Sequence, residues 1–396
     1  MKILLVHNFY DNSSPSGENV VFEAEFKMLR KFGHEVETYT EQNDGLGSSK
    51  LRFFYALFCL WNPVSFFKFW LKVTKFRPDV IHVHNLFPKI TTSILFANRG
   101  VPIVMTVHNY RMFCAAGTLL RDGDICELCL NRKINFSPVL YSCYRNSLIA
   151  SFFATIVILF NKLFMVYEKR ISIFILFSEF QKKKLLSAGF KNVVFMLKSN
   201  FLDQAPPSLE YCKREDYIVY VGRLSLEKGV LDLIEAWNLW GVTAPKLKIV
   251  GTGPLFDELI GKVHQHCDVD FLGNISRDEV IKVIQKSKFI VVPSKCYEGF
   301  PLAVAEAIAT STPILCSNVG PLPEFVTDKS IGLAFEGGKP TSMVSRAKYL
   351  YSNEIKLKEM SHLIEQKFKQ EFAMQNNYKK LINIYDSVRS KRLEVD

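Results

Sequence analysis

No run of about twenty apolar residues, the length a membrane-spanning helix needs, occurs in this 396-residue chain. The longest, Ser147 to Phe160, ends at Asn161-Lys162. Cysteine is scarce: there are nine, an odd number and too few to staple a chain of this length, which argues against an oxidising compartment. Internal repeats and low-complexity tracts are absent, and 48% hydrophobic with 22% charged residues excludes disorder and collagen-like repetition. Nor does the N-terminus read as a secretory signal. Met1-Lys2-Ile3-Leu4-Leu5-Val6 runs straight into a strand-like segment, so a cytoplasmic protein is expected.

Charge is present, but unevenly. The formal net charge is +11, a balance that ordinarily suggests nucleic acid or an anionic surface. Residues 1–200 hold 25 Lys/Arg against 14 Asp/Glu, whereas residues 201–396 hold 25 of each. The first half also has 24 of the 33 Phe. A basic, Phe-rich half joined to a neutral half implies two domains with different partners. No nucleic-acid motif accompanies the charge, and no nucleic-acid partner is expected.

Short apolar runs alternate with amphipathic patterns, the signature of parallel β/α architecture. Strands are expected at Ile3–His7, Glu35–Thr40, Val80–His84 and Ile103–Val107, with a helix over Glu18–Phe32. A second series opens at Tyr217–Val221 and continues through strands at Leu247–Val250, Val269–Leu272, Phe289–Pro293 and Ile314–Ser317. Helices are expected between them at Val230–Trp240, Leu255–His264, Asp278–Gln285 and Ala303–Ala309. Two complete series predict an α/β protein of two doubly wound, Rossmann-like domains. The expected divisions are 1–200, a linker over 201–215 around Asp203-Gln204-Ala205-Pro206-Pro207-Ser208, 216–372, and a C-terminal segment 373–396.

Two segments of the second half suggest chemistry. Gly222-Arg223-Leu224-Ser225-Leu226-Glu227-Lys228-Gly229 lies where a strand turns into a helix. Arg223 and Lys228 put two cations at a strand's carboxyl end, where a diphosphate would match them; an ordinary solvated loop is the plain alternative. In Glu298-Gly299-Phe300-Pro301-Leu302-Ala303-Val304-Ala305-Glu306 one carboxylate precedes a helix and the other lies about a turn inside it. Glu306 can accept hydrogen bonds from ribose hydroxyls, while the free N–H groups near Gly299 face phosphate or sugar. A dipole-favoured helix start would explain Glu298 equally. Glu306 sits on an otherwise apolar face, and a buried carboxylate there needs a partner.

Together with Gly251-Thr252-Gly253-Pro254, Pro313-Ile314-Leu315-Cys316-Ser317 and Gly320-Pro321-Leu322-Pro323-Glu324, these segments resemble the retaining glycosyltransferases of family 4, of bacterial surface-polysaccharide type. Ser311 departs from that family's usual Gly before Thr-Pro. The resemblance implies the GT-B fold, two Rossmann-like domains facing a central cleft, and a hexosyltransferase-type enzyme (EC 2.4). The second domain would hold a nucleotide-diphosphate sugar. Arg223 and Lys228 would stabilise the departing diphosphate and Glu306 would hold the ribose. Glu298, with Gly222, Gly299, Phe300, Pro301 and Leu302, would position the donor. Gly17, in Ser16-Gly17-Glu18, would allow the backbone close to the donor phosphate, and His108 would face the donor sugar. No Asp-x-Asp pair stands out as a metal site, and no cofactor is expected for catalysis. The implied reaction is transfer to a hydroxyl of a saccharide, lipid-diphosphate-linked in the favoured reading, in polysaccharide or lipopolysaccharide synthesis. A sugar-nucleotide epimerase on the same scaffold and a non-catalytic nucleotide-sugar or lipid-binding protein are the alternatives.

Cys114, Cys126, Cys129 and Cys143 lie within a polar excursion over 111–145. Its Cys-x-x-Cys is a common half-site for structural zinc; free thiols or redox pairing remain alternatives. In Pro63–Phe76, Lys68, Lys72 and Lys75 fall on one helical face and Phe66, Trp70 and Val73 on another. Residues 45–200 hold 21 basic and 6 acidic residues. That pattern suits peripheral contact with the anionic inner face of the cytoplasmic membrane, or an ordinary amphipathic helix. Ile355 to Val388 reads as helical, with residues from about Ala373 packing on the first domain as in GT-B enzymes.

Overall fold

The structure is a computed structural model that describes residues 1–10, 17–43, 58–132, 134–202, 206, 209–326 and 330–393. The chain divides into two compact units: Met1–Leu119 with Cys126–Ser199 and Asn377–Asp396, and Leu120–Ile125 with Asn200–Asn376. Most of the expected linker, including Asp203, Gln204, Ala205, Pro207 and Ser208, lies outside the described residues, as do Asp11 to Ser16.

The strands in chain order are β1 (Lys2–Phe9), β2 (Glu35–Gln42), β3 (Val80–Asn85), β4 (Ile103–Thr106), the hairpin β5 (Leu120–Arg121) and β6 (Asp124–Ile125), β7 (Ile173–Leu176) and β8 (Phe195–Leu197). The second series is β9 (Tyr217–Val221), β10 (Lys246–Val250), β11 (Val269–Gly273), β12 (Ile290–Val292), β13 (Ile314–Ser317) and β14 (Gly332–Phe335). The first unit's sheet has the order β2-β1-β3-β4-β7-β8 and the second β11-β10-β9-β12-β13-β14. Every pairing within these two sheets is parallel. The strand order reverses at β1/β3 in one sheet and at β9/β12 in the other, and such reversals open crevices at the strands' carboxyl ends.

Local sequence explains the elements that cover these sheets. In the helix Gly17–Lys31 the buried residues Val21, Phe22, Ala24, Met28 and Leu29 recur at helical spacing. Glu25 lies in the middle of that apolar stripe and is fully buried. In the helix Val230–Trp240, Val230, Leu233, Ile234, Trp237 and Trp240 form the corresponding face and join the core under β9 and β10.

Two expectations about elements change. Strands β7, β8 and β14 go beyond those read from periodicity. The expected helix from Ile355 to Val388 is two helices, Glu354–Lys367 and Met374–Leu393. They are separated by a π-turn at Phe368–Phe372 and by Ala373 in extended conformation. The last helix buries Leu381, Ile384, Tyr385 and Val388, and Tyr378 stacks on Phe32 with ring centroids 3.9 Å apart.

Candidate functional site

In the second unit the loops after β9 and β12 flank the strand-order reversal. Their backbones touch: a Cβ on Gly229, whose φ is +68°, would come 2.0 Å from the Pro293 carbonyl oxygen. Likewise Gly251, at φ +131°, would meet the Gly222 carbonyl at 2.0 Å. Only glycine allows these loops to close on one another. The closure brings Lys228 to Glu298, Nζ to Oε1 at 2.6 Å, and Ser294 Oγ donates to the same oxygen at 2.7 Å. Burial pushes the Lys228 ammonium down, but the Glu298 carboxylate outweighs it and holds the pKa above the usual lysine range. Arg223 is exposed, and its side chain makes no hydrogen bond or ion pair among the described residues. Gly222 is fixed beside Tyr220, whose hydroxyl donates to the Arg223 carbonyl at 2.8 Å.

The helix Leu302–Ala309 begins after β12, with Pro301 as its N-cap. Phe300 packs its ring on Phe325, centroids 4.6 Å apart, which anchors the turn after Gly299. Glu306 is 6% exposed, and burial raises its carboxyl to about 7 against an opposing pull from Arg277. Among the described residues its side chain has no hydrogen-bond partner. Ser311, where the resemblance expects Gly, adopts the left-handed φ of +54°. Its carbonyl accepts from Arg214 Nη2 at 2.9 Å and from Ser361 Oγ at 2.7 Å, which holds the turn.

In the first unit Gly17 is the first residue of its helix, and Ser16 lies outside the described residues. His108 follows β4 and faces His84, with His84 Nδ1 to His108 Nε2 at 3.0 Å. Both line a cavity with Asn85, Thr106, Asn109 and Arg111, closed on one side by Ala154, Val157 and Ile158. Burial, followed by the His84 and His7 rings, pushes His108 well below the usual histidine range. His82 is also buried, bonded to Tyr385 Oη at 2.7 Å and Thr106 Oγ1 at 2.8 Å.

Two residues here carry no signal in any motif: Ser294 and Glu25. For Glu25 a signal existed, a carboxylate at a core position of a helical stripe. Among the described residues, Glu25, His82 and His84 form the group whose ligand atoms converge within 4.8 Å. The four cysteines have the donor chemistry of a closed zinc site. Cys114 and Cys129 are in hydrogen-bond contact, which lowers the first thiol and raises the second, and Cys126 and Cys143 also act on Cys129.

The expected faces of Pro63–Phe76 are redistributed. Val73 is buried with Ser65, Phe69 and Phe76. Trp70 instead lies on the exposed side with Val64, Phe67, Leu71, Lys68 and Lys75. Lys72 pairs with Glu37 at 2.5 Å. The Ser147–Phe160 run is a helix, Leu148–Leu163, capped by Ser147 and exposing Leu148, Ile149 and Phe152. Among the described residues no helix is long and apolar enough to cross a membrane.

Residues 16–152 match the family model described as Glycosyltransferase Family 4, and residues 204–370 that described as Glycosyl transferases group 1. A glycosyltransferase of Methanocaldococcus jannaschii is 33% identical over 34% of this chain, and the match spans only 38% of that relative's length. TuaC of Bacillus subtilis, named for teichuronic acid biosynthesis, is 23% identical over 81% of this chain and 82% of its own. Among solved structures, Anabaena HepE in complex with UDP and glucose aligns with a TM-score of 0.64 at 15% identity. That alignment covers 98% of this chain and 100% of HepE. At that identity the likeness is one of fold.

Proposed function

The chain belongs to the GT-B glycosyltransferases of the family 4 type, and from that premise we propose that it moves a sugar from a nucleotide-diphosphate donor to a hydroxyl of a saccharide acceptor. The observation that carries this reading is the second unit's strand-order reversal. There Arg223 and Lys228 follow β9 and the helix Leu302–Ala309 follows β12, and inside that helix lies the carboxylate of Glu306, which has no hydrogen-bond partner among the described residues. Cations suit a diphosphate leaving group, and a carboxylate suits two ribose hydroxyls. The HepE structure, solved with UDP and glucose, makes UDP-sugars the first donors to test. Retention of anomeric configuration is part of the proposal; it needs no second carboxylate acting as nucleophile.

The buried Glu306 supplies a pH test. Its folded-state pKa is raised, so ionising it costs stability: the contribution is present in full below the usual 4.5 and lost as pH rises through about 7. Ribose hydroxyls donate to the ionised form. Donor-induced thermal stabilisation is therefore expected to weaken as pH falls through about 7. Glu306→Gln should bind more weakly and without that dependence. If no UDP-, GDP- or ADP-sugar raises the unfolding temperature at any pH, the donor reading fails.

The acceptor half of the proposal is a lipid-diphosphate-linked saccharide at an anionic membrane surface. It is supported by the exposed Val64, Phe67, Trp70 and Leu71 beside Lys68 and Lys75 and by the basic surplus of the first half. Each Lys near an anionic surface contributes about 1 kcal/mol. Lys68→Glu with Lys75→Glu is expected to weaken binding to phosphatidylglycerol vesicles at least tenfold, as added salt also should. Lys72→Glu, which loses an internal pair with Glu37, should act less on binding than on stability. Unchanged vesicle binding in the double variant would remove the membrane from the reading.

A further inference from the structure

Behind His108 lies a buried chain of polar groups that the donor chemistry does not use. Lys198 Nζ donates to Glu25 Oε1 at 2.7 Å and to Asn377 Oδ1 at 3.1 Å. Asn377 is itself fixed by donating to the Ser199 carbonyl at 2.6 Å. The other carboxylate oxygen of Glu25 lies 3.3 Å from His84 Nε2 and 3.5 Å from His82 Nδ1. His84 Nδ1 then meets His108 Nε2 at 3.0 Å. Glu25 and Lys198 are 0% and 1% exposed, so their charges are shielded by each other rather than by water. Glu25, His82 and His84 converge like metal ligands, but the Lys198 ammonium already bonds the carboxylate and supplies the positive charge.

We propose that Glu25, held by Lys198, acts through His84 as a positioning residue that fixes the tautomer of His108, with the proton on Nε2 and Nδ1 left as an acceptor. The argument is one of hydrogen-bond polarity. The 3.3 Å approach of Glu25 Oε2 to His84 Nε2 is a close contact and not an aligned hydrogen bond, but a carboxylate only accepts and repels a bare ring lone pair, so the proton of His84 is assigned to Nε2. One carboxylate and one ammonium already balance, and a further cation in this pocket would be buried without a counter-charge. With the Nε2 proton of His84 directed at the carboxylate, Nδ1 is the nitrogen left to accept, and His108 Nε2 donates to it. Of the other charged or titratable neighbours, Arg111 lines the same cavity and donates to the Ala115 carbonyl at 3.3 Å. His82 is occupied by Tyr385 and Thr106, and His7 is bonded through Nε2 to Asn19 Oδ1 at 2.9 Å.

An acceptor nitrogen on His108 has a consequence for substrate class, which rests on the transferase reading. It takes a hydrogen bond from a sugar hydroxyl and repels a carboxylate oxygen, so a neutral hexose is favoured over a uronate at this position. The tautomer itself does not depend on that reading. It is tested on the full chain labelled with ¹⁵N in the histidine rings, with His108 assigned from the His108→Asn spectrum. The expected wild-type result is a pyridine-type Nδ1 and a pyrrole-type Nε2, unchanged between roughly pH 6 and 8, a range spanning the ordinary histidine pKa. In Glu25→Gln/Lys198→Met, which removes both charges together, and in His84→Leu, which leaves the ion pair intact, His108 should show both tautomers. A wild-type proton on Nδ1 overturns the proposal, as does an unchanged His108 pattern in folded His84→Leu. The expected tautomer in a protein that binds no sugar nucleotide would uphold the relay and overturn the transferase reading alone.

Discussion

Lys228→Ala is expected to slow sugar transfer by about 10²–10³-fold, the effect typical of removing one fixed electrostatic group from a transition state. Lys228 is held 2.6 Å from Glu298, and Glu298 is held in turn by Ser294. The ammonium is thus oriented before any donor arrives and needs no reorganisation when the diphosphate begins to leave. The loss should appear mainly in kcat, because charge on the leaving oxygen grows only in the transition state. Arg223→Ala should cost less, near tenfold, because an exposed guanidinium that has no partner among the described residues is neither oriented nor desolvated. The Lys228–Glu298 pair is 29% and 12% exposed, so stability should change far less than rate. Turnover with UDP-sugar within about fivefold of wild type in a folded Lys228→Ala variant would refute the assignment.

The second large effect is on stability. Lys198→Ala, leaving Glu25 buried and unpaired, is expected to cost about 3–5 kcal/mol. That lowers the unfolding temperature of the unit that contains it by roughly 6–20 °C. Glu25→Gln/Lys198→Met, which removes both charges, should recover much of the loss, because no charge is then left without a partner. Calorimetry of the three proteins checks the ranking, and equal destabilisation by the single and double replacements would contradict it. The pH sign follows from Glu25. Burial raises its carboxyl, but Lys198 with the His84 and His82 rings outweighs burial and holds it well below the usual 4.5. Its contribution is therefore present in full above the unfolded carboxylate pKa and is lost as pH falls through the depressed folded value. Acid unfolding of the wild type should be steeper than that of the double variant.

Much of this was legible in the residues. Strands Tyr217–Val221 and Ile314–Ser317 and the helix Val230–Trp240 fall where their patterns end, since a buried parallel strand must be apolar throughout and a covering helix must bury one stripe. Strand β7, Ile173–Leu176, was obscured because it lies in a stretch so rich in apolar and basic residues that no alternation marks its limits. The faces of Pro63–Phe76 differ from the expected ones for a related reason: an aromatic residue at helical spacing carries no sign of whether it meets the sheet or solvent. Glu25 contradicts the stripe in which it sits, and its meaning depends on Lys198 and Asn377, which lie 173 residues away and further still along the chain.

Composition, periodicity and the glycine-bearing loops were enough to determine two parallel α/β units. Short-range patterns reflect local backbone geometry, and the candidate donor-side residues Arg223 and Lys228 lie within one strand–loop–helix segment. Only the tertiary structure decided that Lys228 bonds Glu298, that Glu306 is buried with no hydrogen-bond partner among the described residues, and that His84 lies between Glu25 and His108. Those pairings join residues from different strands and helices. Their energies depend on burial, and burial exists only once the sheets are covered.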